Sequence, residues 1–364
     1  MKKIVKTAVA MAVLATPAIA AGNLENPLYL PSAGEVYSKL GAGLMYKKAD
    51  DSEAMRNKDH AFAEEFPIGR FYGDLGFGIT DRVAIRGSFA WTQDNDIDRK
   101  GMNAGRIGLV GRVFDGKSTD GIVWDVYADA HLGGVSKMTG SYTPEGFKYD
   151  NYSNGRWGAF VGTSVGKTWD KLTVAAFAEI LPTIGNSNND IDVTPIKAEA
   201  AAGLAGVPGG ATTISACMAN PTVSPACPAV LKAYGITQLT DSLSVNLKST
   251  FEYNLGLKAQ YQVDKTWAVG GAVTYKHHAD NGIKSVATPQ NAAGQKIADG
   301  LAADQANMKD GFDEYIFGVS VANQLSDSVQ VAVYGEYTYD TAHPMSQNGT
   351  DTKAELGARV NVRF

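Results

Sequence analysis

The sequence predicts an all-β fold, a closed antiparallel up-and-down β-barrel of about twelve strands that crosses a membrane. Three observations predict it: a composition rich in glycine and aromatic residues, long segments of strict apolar/polar alternation, and connections that alternate between short and long. Glycine contributes 40 of the 364 residues, beside 16 Tyr, 13 Phe and 5 Trp. Only 20% of the residues are charged and the mean hydropathy is -0.15, which excludes a disordered chain and a bundle of membrane-spanning helices.

The first residues have the pattern of a secretory signal peptide. Lys2, Lys3 and Lys6 precede an apolar stretch, and the small residues of Ala18-Ile19-Ala20 form a cleavage pattern. We prefer this interpretation to a short N-terminal helix of the mature fold. Residues 1–20 are therefore predicted to be removed during export.

The alternation is clearest at the end of the chain. Leu356, Ala358, Val360, Val362 and Phe364 occupy every second position, and the residues between them are polar, charged or glycine. Such a segment is longer than a usual strand of a soluble sandwich and suits a membrane-spanning strand. About twelve segments share the pattern, at approximately 36–48, 64–79, 83–92, 103–114, 122–133, 155–167, 172–181, 242–263, 267–278, 310–322, 328–340 and 351–364.

The connections support the same fold. Short turns such as Thr80-Asp81-Arg82 alternate with the long segments 49–63, 93–102, 134–154, 182–241, 279–309 and 341–350. Short turns at one end and long loops at the other are typical of membrane barrels, and an even strand number places both termini at the short-turn end. Closure also pairs every backbone group, as hydrocarbon requires.

The segment Leu356 to Phe364 resembles the terminal strand of bacterial outer-membrane β-barrel proteins, which end on an aromatic residue after alternating apolar positions. The resemblance is porin-like and identifies no subfamily. It implies that Phe364 is an assembly signal read by the barrel-assembly machinery, and that outer-membrane lipid and lipopolysaccharide surround the protein. It also implies a division into the signal peptide, a short periplasmic segment at 21–35 and a barrel at 36–364. Segment 21–35 contains Asn26-Pro27 and Leu30-Pro31, so it is extended, and it lies in the periplasm or tucks into the barrel mouth.

Charged residues of both signs alternate with the apolar face and are predicted to line the barrel interior. In one interpretation, arginines face carboxylates across water and select polar solutes through a transverse field; in the other, salt bridges fill and stiffen a narrow barrel. Inward glycines favour open space and hence a pore; these are Gly76, Gly78, Gly108, Gly158, Gly162, Gly166 and Gly318. The predicted pore-lining residues are Arg70, Asp74, Arg86, Arg106, Arg112, Asp125, Asp129, His131, Glu179, Lys248, Glu252, Lys258, Glu314, Glu336, Lys353, Glu355 and Arg359.

The long segment 182–241 is predicted to be an extracellular loop that partly covers the mouth, although it could equally fold into the lumen or decorate the surface. Cys217 and Cys227 lie in it, and in an exported protein they are expected to form a disulfide. Short helices could form from Lys197 to Leu204 and from Ala229 to Tyr234. The acidic stretches 49–63 and 93–98 could contact cations that bridge lipopolysaccharide, but we prefer ordinary solvated loops.

The predicted function is an outer-membrane channel for passive diffusion of small polar solutes. The first alternative is a barrel enzyme, similar to a protease or lipase, with a site at the extracellular rim. Its candidate residues are Asp129 with His131, and His277 and His278 with Asp280, but no serine motif accompanies them. A structural or adhesive barrel is the second alternative. No metal site or cofactor is predicted, and a net charge of -5 argues against nucleic-acid binding. The oligomeric state is left open.

Overall fold

The structure is a computed structural model, and it describes most of the chain, with several segments left out. The described residues are 23–49, 68–94, 99–117, 119–135, 137, 139–143, 146–149, 155–187, 189–194, 214, 216–217, 219–220, 222–233, 242–279, 283–286, 311–341 and 351–364. The predicted signal peptide and the possible helix at 197–204 lie outside them, as do most of the two acidic stretches.

Twelve antiparallel strands close into a barrel, which confirms the predicted fold class and strand number. Each strand pairs with its two neighbours around the circle, and the first and last strands pair from Tyr37 with Arg363 to Ala49 with Asp351. The barrel strands are β1 (Val36–Ala49), β2 (Ile68–Thr80), β3 (Val83–Asp94), β4 (Arg99–Asp115), β5 (Ile122–His131), β8 (Arg156–Trp169), β9 (Leu172–Gly185), β12 (Thr250–Gln262), β13 (Trp267–His278), β15 (Phe312–Gln324), β16 (Val329–Asp340) and β17 (Asp351–Arg363).

Both ends of the barrel chain lie at the short-turn end, as predicted. The backbone of Val36 exchanges two hydrogen bonds with that of Phe364, which closes the cylinder there. The turns at this end are compact. In one of them the carboxylate of Asp264 accepts hydrogen bonds from the amides of Thr266 and Trp267, and these bonds hold the pKa of that carboxyl below its ordinary value.

One predicted strand, 242–263, is wrong. The structure divides it into β11 (Ser242–Leu247), which lies outside the barrel, and the barrel strand β12. The apolar positions of β11 continue the alternation of β12, but Val245 and Leu247 are buried against protein and do not face outward. The predicted loop 182–241 also starts too early, because β9 continues to Gly185.

The long connections contribute a second, five-stranded sheet at the opposite end of the barrel. It has the order β14-β11-β10-β6-β7, where β6 is Thr139–Thr143, β7 is Gly146–Tyr149, β10 is Asn189–Asp192 and β14 is Ile283–Val286. Ile191, Val193, Ile214 and Leu243 are buried there. Three separate connections therefore share one sheet, and the buried apolar residues named above all belong to the connection between β9 and β12.

The predicted disulfide is confirmed. The sulfur atoms of Cys217 and Cys227 are 2.06 Å apart, and no described cysteine is free. Cys227 begins the helix α1 (Cys227–Ala233), which overlaps the short helix predicted from Ala229 to Tyr234. Both cysteines are buried, so the bridge belongs to the core of the loop region.

The outer surface of the barrel is apolar. Several apolar side chains on it are more than half exposed, including Val319, Leu356, Val333, Leu257 and Ile180. Exposed aromatic rings lie toward the strand ends, at positions expected for interfacial aromatic girdles. They include Trp157, Trp267, Tyr46 and Tyr337. No helix among the described residues is long and apolar enough to span a membrane.

Candidate functional site: the barrel interior

Arginines on one side of the interior form direct ion pairs that reach over intervening strands. Arg86 on β3 binds Asp129 on β5 through two contacts, Nε to Oδ1 at 3.0 Å and Nη2 to Oδ2 at 2.5 Å. Gly108 of β4 lies beneath this pair, and a Cβ there would collide with the Asp129 carboxylate. The pair therefore needs a glycine on the strand between its members.

Three more of the predicted arginines form direct ion pairs, Arg70 and Arg106 over intervening strands and Arg112 with its register partner on the adjacent strand. Arg70 binds Glu355 at 2.8 Å. Arg106 binds Glu179 at 3.2 Å, and the guanidinium of Arg106 also lies 3.3 Å from the centre of the Phe160 ring. The pair of Arg112 with Asp125, at 2.8 Å, is the most enclosed, with side chains 14% and 8% exposed. These arginines do not face carboxylates across open water, so the structure favours the salt-bridge interpretation for this part of the interior.

At most inward glycines, atoms of a neighbouring residue occupy the place that a Cβ would need, so these glycines do not leave open space. A Cβ at Gly162 would lie 2.5 Å from the ring of Tyr127, and one at Gly166 would lie 2.9 Å from Leu28. Gly76 is covered by the ring of Tyr37 in the same way. The expectation that these glycines indicate a pore is therefore wrong for all but Gly318, where the nearest atom to such a Cβ would be 3.7 Å away.

We call β2–β5, β8 and β9 the filled wall, because arginines and aromatic rings project from them. The opposite part, β13, β15 and β16, is here called the small-residue wall. Ile316, Tyr334 and Glu336 also point inward there, but most inward positions near Gly318 have small side chains. These are Ala268, Gly270, Ala272 and Thr274 on β13, Gly318, Ser320 and Ala322 on β15, and Ala332 on β16. Space in the barrel is therefore expected beside the small-residue wall.

Lys258 of β12 borders the small-residue wall. Its side chain points into the barrel, since its strand neighbours Leu255 and Leu257 are exposed on the outer surface. Lys258 is nevertheless solvent-exposed, and its ammonium lies 4.9 Å from the centre of the Phe177 ring. An exposed residue facing the interior shows that solvent-accessible space exists inside the barrel.

A charged cluster lies near the long-loop end of the interior. Glu314 binds Lys276 at 3.3 Å, His278 at 2.9 Å and Lys353 at 3.3 Å. Lys353 also binds Asp340 at 2.7 Å. His278 reaches the predicted residue Glu252 at 3.3 Å as well, so three of the predicted pore-lining residues meet in this cluster.

The opposite end of the interior is crossed by residues 23–35, here called the N-terminal strap. The side chain of Asn23 bonds Gln262 of β12 at 2.9 Å and Gln330 of β16 at 2.8 Å. The carbonyl of Leu28 accepts a 2.6 Å bond from Arg112 of β4, on a distant part of the circle. Of the two predicted positions for segment 21–35, the described residues 23–35 therefore occupy the barrel mouth.

Glu25 is the anionic anchor of the strap. It accepts hydrogen bonds from Arg359 and from Asn361, both on β17, with 2.7 Å to Arg359 Nε and 2.7 Å to Asn361 Nδ2. Burial alone would raise the pKa of this carboxyl. The positive charges of Lys39 and Arg359 lower the pKa by a larger amount, so the net pKa shift is downward. The anchor is thus an ionised carboxylate at neutral pH.

Of the remaining predicted pore-lining residues, three lie in the barrel interior and one lies outside the barrel strands. Asp74 and Glu336 are half-buried and face the interior, and His131 is buried with its ring 5.6 Å from that of Phe160. Lys248 lies between β11 and β12, not on a barrel strand, and its carbonyl accepts a bond from Arg156. The sequence predicts it on a barrel strand because the alternation runs without a break from β11 into β12.

The candidate catalytic groups are engaged in other contacts. The Asp129 carboxylate is held by Arg86. His277 and His278 point to opposite faces, as predicted, and bind Asp313 at 2.8 Å and Glu314 at 2.9 Å; Asp280 lies outside the described residues. Within the described part of the chain, no group of three or more His, Cys, Asp or Glu residues is arranged to hold a metal ion.

The sequence interpretation missed Lys39, Glu25 and the strap anchors Asn361 and Gln330. Lys39 could have been found, because it shares the inward parity of Gly41 and Gly43 on β1. Glu25 could not, since its partners are more than 300 residues away in sequence.

No protein-family model matches the sequence, and no curated protein matches it. Among solved structures, the COG4313 outer membrane channel from Pseudomonas putida F1 aligns with a TM-score of 0.50 and 11% identity, over 95% of this chain and 100% of that one. The NanC porin aligns with a TM-score of 0.38 and 10% identity, over 88% and 98%. The KdgM porin gives 0.36 and 6%, over 88% and 97%. The last two similarities are too weak to support an inference. The first, together with the closed barrel itself, establishes that the chain has the fold of a bacterial outer-membrane β-barrel.

Proposed function

We propose that this protein is an outer-membrane channel that lets small polar solutes diffuse passively through its interior. The observation that carries the proposal is the exposed, inward-facing Lys258 beside the small-residue wall. A barrel filled completely by its own side chains would bury a residue at this position. Charged groups around a solvent-accessible lumen suit polar solutes.

The membrane setting of the proposal rests on the outer surface. An apolar belt around a closed cylinder matches a lipid bilayer, with the short turns in the periplasm and the added sheet outside the cell. In this setting residues 1–20 act as a cleaved signal peptide and Phe364 is read by the barrel-assembly machinery. Membrane lipid and lipopolysaccharide are then its surroundings.

The test is the conductance of refolded protein in planar lipid bilayers, with two neighbouring substitutions. Gly318→Trp places a large ring in the space beside the small-residue wall, whereas Val319→Trp places the same ring on the outer surface, where Val319 is 67% exposed. We expect discrete current steps from the original protein, a current reduced to about half or less by Gly318→Trp, and no change from Val319→Trp.

Two results would overturn the channel. One is the absence of any current from correctly folded barrel. The other is an equal effect of both substitutions, which would mean that current does not pass along the small-residue wall. No contact in the described interior favours the enzyme alternative specifically, so we propose no reaction.

A further inference from the structure

On the basis of this channel function, we propose that Lys39 and Lys258 form an anion site in the lumen that takes small organic carboxylates. The two residues lie on distant parts of the barrel circle. Lys39 is on β1 and Lys258 is on β12, and β13, β15, β16 and β17 separate these strands on the shorter side. Both side chains point into the same lumen, Lys39 with the inward parity of Gly41 on β1 and Lys258 opposite to the exposed Leu257 on β12.

Both lysines differ from the other cations of the interior. Arg70, Arg86 and Arg106 each have a carboxylate oxygen within 3.2 Å, and so does Arg112. Among the ion pairs of the described residues, none includes Lys39 or Lys258. The ammonium groups therefore have donors to offer to a passing anion, whereas the arginines are already occupied.

The charges around the two lysines leave a small positive excess. Lys39, Arg359 and Lys258 carry three positive charges, and Glu25 and Asp74 carry two negative ones. Asp74 is the register partner of Lys39 on β2. Because the nearby Arg106 is balanced by Glu179, one positive charge remains in excess, and it favours anions over cations at this depth of the lumen.

The ring of Phe177 selects among anions. It lies beside the ammonium of Lys258, with 4.9 Å from Nζ to the ring centre, and it is half-buried. An ammonium next to an aromatic surface matches a molecule that has a carboxylate at one end and an apolar body at the other. An inorganic anion such as phosphate would use the charge alone.

The experiment is a charge series measured as the anion-to-cation permeability ratio, from reversal potentials in a potassium chloride gradient. Lys258→Gln removes one positive charge and Asp74→Asn removes one negative charge, so the ratio should fall in the first variant and rise in the second. A unit charge acting through a few ångströms of water changes such a ratio by about two- to fivefold. Lys167→Gln is the matched control, because Lys167 pairs with Asp120 at the short-turn end, and its ratio should equal that of the original protein.

The second arm measures block of the chloride current by benzoate and by inorganic phosphate. We expect benzoate to block more strongly than phosphate, and Lys258→Gln to weaken the benzoate block by about threefold or more. Phosphate block equal to or stronger than benzoate block would overturn the carboxylate assignment. A cation-selective or unselective current, or a ratio unchanged by Lys258→Gln, would overturn the anion site while leaving the channel intact. The absence of any current across the bilayer would instead overturn the proposed channel, and the anion site with it.

Discussion

The filled wall and the small-residue wall belong to the same barrel and have the same strand geometry, but they use their inward positions in opposite ways. On the filled wall, Arg86 and Asp129 form an ion pair above Gly108, and Tyr127 packs over Gly162. On the small-residue wall, a Cβ at Gly318 would meet nothing closer than the Cβ of Ala272, at 3.7 Å. Stability should therefore depend on the first wall and permeation on the second.

This difference shows that glycine has two roles in a barrel interior. A glycine beneath a ring or an ion pair makes room for a side chain from another strand, so it marks a packed region. A glycine such as Gly318, which has only the small side chain of Ala272 at ordinary contact distance, leaves space. The residue type is the same in both cases, and only the neighbours across the sheet distinguish them.

The largest effect is expected from breaking an ion pair of the filled wall. Asp129→Ala leaves the Arg86 guanidinium without its partner in a place where Asp129 is 1% exposed and Arg86 is 30% exposed. We expect a loss of about 2–4 kcal/mol in the free energy of unfolding, below the full value for a buried pair because Arg86 retains some solvent contact. Urea unfolding of the refolded barrel, followed by tryptophan fluorescence, measures it.

The control for this substitution is Thr274→Ala on the small-residue wall, which should change stability by about 0.5 kcal/mol or less. The double variant Arg86→Met with Asp129→Leu should be less destabilised than Asp129→Ala alone, because no charge is left unpaired. Equal losses in Asp129→Ala and Thr274→Ala would show that the two walls do not differ in this way.

The next effect compares the two kinds of glycine directly. In Gly162→Ala the new methyl group would lie 2.5 Å from the Tyr127 ring, so the ring must move and lose its bond to Glu179. We expect a destabilisation of about 1–3 kcal/mol. In Gly318→Ala the nearest atom is 3.7 Å away, and stability should be unchanged or slightly higher, in the same unfolding assay. If Gly318→Ala is the more damaging, the assignment of open space is incorrect.

The sequence could predict the barrel, its closure and its strand number because these depend on a local period of two. It could not separate β11 from β12. The alternation of Leu243, Val245 and Leu247 is the same whether the apolar face meets lipid or a protein core. The short strands β6, β7, β10 and β14 were also missed, since each has only four or five residues within a long connection.

The interior was predicted less completely for a similar reason. Alternation identifies which residues point inward, and it found both members of pairs such as Arg70 with Glu355. Which charge meets which depends on contacts between strands far apart in sequence, so the choice between a transverse field and salt bridges needed the structure. The position of the strap depends on Asn23 meeting Gln330, and nothing local encodes that contact.

A smaller effect is expected from the strap, which crosses the short-turn end of the interior and belongs to neither wall. Deleting residues 23–31 removes the contacts of Asn23, Glu25 and Leu28 with four strands. Because backbone pairing of the barrel is untouched, we expect the barrel to fold and its single-channel conductance to rise by about twofold. An unchanged conductance would mean that the narrowest part of the lumen lies elsewhere.

Acidification should loosen the strap through its anchor. The pKa of Glu25 is lower in the folded protein than its ordinary value of 4.5, so its contribution to strap attachment is complete above that value and is lost as the pH falls further. Conductance should therefore be constant from pH 7 to pH 5 and should increase, or become noisier, below about pH 4. Glu25→Gln should remove this transition; a transition that persists in Glu25→Gln must come from another group.

The smallest effect on the barrel is expected from the disulfide, which belongs to neither wall. Cys217 and Cys227 close a loop of about eleven residues, worth roughly 3 kcal/mol at most, and this acts on the loop core alone. The double variant Cys217→Ala with Cys227→Ala should therefore assemble normally, remain resistant to SDS without heating and keep the unfolding free energy of the barrel. Added protease should cut the 194–241 region faster, because the buried contacts of Cys227 and Ile214 are weakened there.

Reduction of the original protein with dithiothreitol is the matched control and should reproduce the faster cutting. Failure of the double variant to form a barrel would show that the loop core supports the strands after all, and two free thiols in the unreduced protein would contradict the bridge itself.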